Sequence, residues 1–140
     1  QVKLLRVLES RVFQRVGGNA DIQADFRLIV ATNKDLLKLV GEGRFREDLY
    51  HRLSVIVIQV PSLRSRKDDI PLLAEFFNEQ ITGEYNQKKK IITEDAFEKL
   101  KQYSWTGNVR EFRNVLERLI IFCPETITAA DVENYVVPLN

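Results

Sequence analysis

A chain of 140 residues that is 44% hydrophobic has the size of one ordinary domain or two small ones. Its 21 basic and 20 acidic residues leave a net charge of +1, which recommends neither nucleic acid nor an acidic substrate, so any electrostatic function has to be local. Its longest apolar runs, LIVA and LIIF, are far too short to span a bilayer, and the single Cys123 has no partner for an internal disulfide, which fits a reducing compartment.

The first segment, QVKLLRVLES, places Val2, Leu4, Leu5 and Leu8 on one helical face. It has no initiator Met and no basic-then-apolar-then-small pattern, so no signal peptide is expected there. An amphipathic pattern already under way at Gln1 leads to the expectation of a piece of a longer protein. VFQRV (12–16) then reads as a short strand, followed by Gly17-Gly18 and a loop to about Asp25. FRLIVAT (26–32) is a nearly unbroken apolar, β-branched run, as expected of a parallel strand buried on both faces. A helix over 34–40 should follow, with Leu36, Leu37 and Val40 inward and Gly41 and Gly43 closing it. GRFREDLYHRL (43–53) reads as a further helix, and VIVIQV (55–60) as a second buried strand. This order is an α/β pattern.

After Pro61 the composition changes. PSLRSRKDD is a polar linker, and no further strand is evident. Asp68 or Asp69 can cap a helix over about 70–82, with Pro71 in its first turn. EYNQKKK (84–90) is a charged loop, Thr93 opens a helix to about Gln102, and GNVREFRNVLERLIIF forms a longer one. A last short helix is expected at 128–135, capped by Thr128. The chain therefore reads as part of an α/β domain over 1–62 followed by an all-α subdomain over 63–140.

Several positions could carry chemistry. Ligands of parallel sheets sit beyond the carboxyl ends of the strands, which is where Thr32-Asn33 falls. The Asn33 amide could orient a water or touch a phosphate oxygen, or it could simply cap the next helix, and spacing alone favours the cap. At about 100° per residue, Arg46 and Arg52 flank the Phe45, Leu49 and Leu53 stripe on opposite sides, about 9 Å apart along the axis. Guanidinium groups there suit a carboxylate or phosphate outside the helix. Pairing within the chain, with Glu42, Glu47 or Asp48, is the plainer reading and the one that spacing favours. In WTGNVREF (105–112), Gly107-Asn108 is a turn-and-cap signal opening a helix with Val109 and Phe112 on its apolar face. Arg110 lies in the first turn on the far side, either solvated beside Glu111 or poised with the helix end for an anion. A run such as Lys88-Lys89-Lys90 is usually only solvated.

Taken in order, LLRVLESRVFQRVGG, RLIVATNKDL, GRFREDLYHRL, VPSLRSRKDDIPLLAEFF and YSWTGNVREFRNVLER resemble the central ATPase domain of sigma-54-dependent transcriptional activators, bacterial enhancer-binding proteins of the AAA+ class. The likeness runs from Gln1 to about Val137. It implies an α/β fold, the carboxyl-terminal portion of an AAA+ αβα base followed by a helical lid. It also implies a cytoplasmic, ring-forming ATPase, typically hexameric, that uses ATP hydrolysis to remodel sigma-54 RNA polymerase holoenzyme and permit promoter opening. By the same resemblance Asn33 corresponds to the first sensor. Arg46 and Arg52 correspond to arginine fingers that reach the γ-phosphate of ATP on the neighbouring subunit. Arg110 corresponds to the second sensor, contacting nucleotide in cis from the lid, and Val109 to a position lining the adenine pocket. The loop from Arg15 to Asp25 is similar to the one that moves with the sigma-contacting loop.

Some family features have no match here. No segment fits G-x-x-x-x-G-K-S/T, no acidic motif for Mg²⁺ follows a strand, and no Gly-aromatic sigma-contact loop is present. In the family these precede the point matching Gln1. A receiver or sensory domain and a DNA-binding helix-turn-helix would likewise lie outside this stretch. Thr106 stands where the family usually has Pro. The chain alone is therefore expected not to hydrolyse ATP. The alternatives are a helical nucleic-acid-binding module using Lys88–Lys90 and Arg110, and a non-catalytic assembly module. No membrane partner is expected.

Overall fold

The computed structural model describes residues 1–136, so the last four residues of the subdomain expected over 63–140 lie outside the described residues. The chain forms two compact units, Gln1–Gln59 and Val60–Asn140.

In the first unit, helix α1 (Val2–Ser10) ends at Arg11, whose left-handed backbone (φ 55) lets its N–H donate to the Val7 carbonyl at 2.9 Å. The chain turns there into β1 (Val12–Gln14), which pairs antiparallel with β2 (Asp21–Gln23) in the register Val12 to Gln23, Phe13 to Ile22 and Gln14 to Asp21. Gly17 supplies the positive φ of 78 within the connection. The hairpin corrects the expectation of a plain loop from 17 to 25. With three residues and a single apolar side chain, β2 is too short to show an alternating pattern. Helices α2 (Leu36–Gly41) and α3 (Glu47–Leu53) follow, and α3 packs against both α1 and α2. Leu8 and Leu49 are the only buried residues among Gln1–Gln59, and Leu37, expected inward, is exposed.

Two expected strands behave differently. Residues 26–32 and 55–60 form no strand ladder, and apart from the half-buried Phe26 their apolar side chains are open to solvent, with Ile29 at 84% and Ile58 at 83% exposure. An apolar β-branched run records what a segment can bury. Becoming a central parallel strand also requires hydrogen-bonding neighbours on both sides. None of the described residues supplies them.

The second unit is the helical subdomain. Two single 3-10 turns (Leu63–Ser65 and Lys67–Asp69) lead into α4 (Ile70–Glu84), followed by β3 (Ile91–Ile92), α5 (Glu94–Gln102), α6 (Asn108–Phe122), β4 (Thr126–Ile127) and α7 (Ala129–Tyr135). Helix α4 turns Ile70, Ala74, Phe77 and Ile81 to the core, the i, i+4, i+7 spacing of one face. Helix α6 adds Phe112, Val115, Leu116, Leu119 and Ile120. The Trp105 ring meets Phe112 edge-on with centroids 4.9 Å apart, and its indole N–H donates to the Leu100 carbonyl at 2.9 Å. Two polar side chains are buried with partners: Asn78 bonds both the N–H and the carbonyl of Lys90, and the Thr82 hydroxyl donates to the Asn78 carbonyl.

Three expectations change here. The stretch after Pro61 is no free linker, because Leu63 is fully buried in the core. Strands do occur: β3 and β4 pair in parallel, Ile91 to Thr126 and Ile92 to Ile127, putting Ile92 and Ile127 inside. Two-residue strands carry no periodic signal. Asp69 occupies the cap position of α4 without a side-chain cap bond, since a 3-10 turn already precedes the helix.

Candidate functional site

Arg46 sits at the N-cap of α3 in an extended conformation (φ −74, ψ 134), so the helical wheel that placed it beside Phe45 does not apply. Its guanidinium clasps Asp48 with two bonds, Nε to Oδ1 at 3.0 Å and Nη2 to Oδ2 at 2.7 Å, in an exposed ion pair. The hydrogen bond from Arg46, aided by the Leu49 N–H, holds the Asp48 carboxyl below the ordinary carboxylate range. The same bond, with the charge of Asp48, raises the guanidinium pKa further. Arg52 is arranged differently. Its Nη2 donates to the Leu8 carbonyl at 3.2 Å, and it has no ion-pair partner among the described residues. Glu47 lies instead near His51, at 3.8 Å. One guanidinium nitrogen of Arg52 is thus tied to α1, while its charge meets no carboxylate among the described residues.

Asn33 lies exposed in a bend, and the cap of α2 belongs to Asp35, whose Oδ1 accepts from Lys38 N–H at 3.1 Å. The preceding Thr32 hydroxyl oxygen accepts from Lys34 N–H at 3.0 Å. The amide of Asn33 is therefore not used as a helix cap.

In the second unit, Arg110 is exposed in the first turn of α6 and has no ion-pair partner among the described residues. Glu111, its neighbour in sequence, turns back so that its carboxylate accepts from Gly107 N–H at 2.8 Å. An acidic group at a helix start is favourable, and this one is used locally and leaves Arg110 unneutralised. Val109 is half-buried against the core. Of the lysine run, Lys89 pairs with Glu75 at 2.6 Å, which raises its pKa, and Lys90 donates to the Pro124 carbonyl at 2.7 Å. The run thus offers no free basic patch. Burial pushes the Cys123 thiol up to about 11, so it stays protonated near neutrality.

Sequence reasoning named Asp48 only as one of several partners for Arg46 and did not foresee Leu8, which acts through a backbone carbonyl that no residue type signals. The turn-and-cap signal at Gly107-Asn108 leaves out one partner: the Asn108 side chain accepts from Val109 N–H and also from the distant Leu63 N–H.

The comparisons with known proteins agree with the order of these elements. Residues 1–59 match the family described as the Sigma-54 interaction domain, and residues 64–138 match the AAA+ ATPase lid domain. The response regulator protein PilR of Pseudomonas aeruginosa is 48% identical over 125 residues, which are 89% of this chain and 28% of PilR. The nitrogen fixation protein AnfA of Azotobacter vinelandii is 45% identical over 91% of this chain and 24% of its own length. The crystal structure of NtrX from Brucella abortus in complex with ADP superposes with a TM-score of 0.86 at 44% identity, covering 94% of this chain and 32% of that one. The chain thus spans about a quarter to a third of the length of the relatives it matches. The GRFREDLYHRL segment within the stretch matching the first description, followed by a lid whose α6 opens on NVRE and which matches the second, places the chain in the sigma-54-dependent transcriptional activators of the AAA+ class.

Proposed function

We propose that this chain works within a longer, ring-forming AAA+ ATPase, typically hexameric, that spends ATP hydrolysis on remodelling sigma-54 RNA polymerase holoenzyme. In this reading Arg52 and Arg46 are fingers directed at the triphosphate on a neighbouring protomer, and Asn33 senses the γ-phosphate end. Arg110 contacts phosphate within its own protomer, with Val109 against the adenine. The single observation that carries the reading is Arg52, an exposed residue whose guanidinium is steadied through Nη2 by the Leu8 carbonyl and has no carboxylate partner among the described residues, so that its charge is uncompensated. Planar guanidinium donors suit phosphate oxygens, and charge supplied to a transferring phosphoryl group is a large catalytic contribution. In the second unit, the uncompensated Arg110 suits a phosphate by the same chemistry. NtrX of Brucella abortus, similar in fold, has been crystallised with ATP and with ADP.

Arg46 can serve only if it leaves Asp48. An exposed ion pair holds weakly, and a triphosphate offers more negative charge than one carboxylate. The described residues contain no group of three or more His, Cys, Asp or Glu able to hold a metal, so Mg²⁺ would have to be held by other residues. DNA contacts would belong to a separate domain, since the lysine run is largely engaged.

The test is Arg52→Ala in the full-length protein carrying this chain. ATP turnover should fall by about 10³-fold or more, the scale seen for arginine fingers. The loss should persist at saturating ATP, and nucleotide binding by each protomer should survive. Unchanged turnover would sink the finger assignment.

A further inference from the structure

The turn before α6 is held in a conformation that its residue types resist. Trp105 (φ 48) and Asn108 (φ 58) are both left-handed, a region that Asn tolerates and a bulky aromatic residue rarely enters. Such residues persist when their surroundings over-determine them. Here Asn108 N–H donates to the Trp105 carbonyl at 2.8 Å, and Gly107 N–H donates to Glu111. A Cβ on Gly107 would lie 2.8 Å from the Glu111 Cβ, so the close return of that side chain requires glycine.

The same turn carries one further link. Asn108 Oδ1 accepts from two backbone groups, Val109 N–H at 3.0 Å and Leu63 N–H at 2.9 Å. Leu63 is fully buried, so its N–H needs a protein partner and holds the amide oxygen in place. One side-chain atom therefore ties the segment that enters the helical unit to the first residues of α6. Arg110 has no ion pair of its own among the described residues, so the direction of its stem is set by the backbone of residues 108 to 110.

We propose that Asn108 is a positioning residue: its amide oxygen, clamped between the Leu63 and Val109 N–H groups, aims Arg110 at the phosphates of ATP. The inference rests on the nucleotide-contacting reading of Arg110 given above.

Steady-state ATP hydrolysis by the full-length protein tests it. Asn108→Gly keeps the left-handed backbone accessible and removes the oxygen. It should raise KM for ATP about tenfold, the scale of a lost hydrogen bond that orients a charged contact, with a much smaller change in kcat. The effect should match that of Arg110→Ala, and the double variant should be no worse than Arg110→Ala alone, because both act through one guanidinium. Asn108→Asp retains an acceptor oxygen and should stay within about threefold of the parent KM. If Asn108→Gly fails to fold, Asn108→Ser, whose oxygen is too short to reach both N–H groups, should show the same rise. A normal KM in these variants alongside a raised KM in Arg110→Ala would overturn the positioning role and leave the nucleotide reading intact. Additive losses in the double variant would also overturn it. A normal KM in Arg110→Ala would remove the nucleotide reading itself.

Discussion

A guanidinium that is to reach another molecule needs a defined position and an uncompensated charge, and of the two arginines around α3 only one has both. Arg52 is that one: its Nη2 donates to the Leu8 carbonyl, and no carboxylate among the described residues neutralises it. Arg46 has its head closed on Asp48. Because that pair lowers the Asp48 pKa, its contribution is present above the ordinary aspartate value of about 3.9 and is lost only as pH falls through the still lower folded-state value. At neutral pH, then, any competitor for Arg46 meets a charged carboxylate. A carbon-detected titration of Asp48 should give a midpoint below about 3.9, and Arg46→Ala should move it upward. A midpoint unmoved by that substitution would show that the clasp does not form in solution. The sequence makes both arginines visible as candidates. It could not tell them apart, because the difference lies in a backbone carbonyl 44 positions away and in a helix that starts at Glu47, two residues after the Phe45 that the wheel takes as helical.

At the scale of elements, local chemistry foretold most of the helical unit. Thr128 caps α7 as its sequence indicates: its hydroxyl oxygen accepts from Asp131 N–H at 3.4 Å, while the Asp131 carboxylate accepts from Thr128 N–H at 2.8 Å, a reciprocal capping box. The Thr128 hydroxyl also donates to that carboxylate at 2.7 Å. Thr128→Ala should destabilise this unit by about 1 kcal/mol in urea unfolding, the usual cost of a lost N-cap. A change much smaller than that would mean the α7 terminus is held by packing alone. Helices announce themselves through 3.6-residue periodicity and cap residues, and each of α4 to α7 could be read that way. The parallel β3–β4 pair could not, since Ile91-Ile92 and Thr126-Ile127 meet across a long stretch of chain and two residues define no period. The β1–β2 hairpin was half legible, through Val12–Gln14 and Gly17 but not through Asp21–Gln23.

At the scale of the molecule, the two units are held by unequal means. The helical unit has a contiguous core built around Phe112, Leu116 and Ile120, whereas Gln1–Gln59 buries only Leu8 and Leu49. At about 1.5–3 kcal/mol for each fully buried large apolar side chain, two residues contribute little against the entropy of ordering that stretch. Meanwhile 26–32 and 55–60 expose Ile29, Val30, Val55, Ile56, Val57 and Ile58, and their main chain belongs to no sheet. Here hydropathy read the segments' tendency correctly and their state wrongly, because burial depends on neighbours that a single segment's composition does not reveal. Unpaired apolar edges recruit other chains, by strand addition or by face-to-face burial. The 140-residue chain should therefore self-associate in a concentration-dependent way in light scattering. Ile29→Lys together with Ile58→Lys should shift it toward monomer, since a charge on an exposed edge opposes pairing. The helical circular dichroism of Val60–Asn140 should be unaffected, because neither position belongs to its core. If the unmodified chain stays strictly monomeric over the accessible concentration range, these segments do not act as open edges, and an apolar run can remain solvated here without seeking a partner.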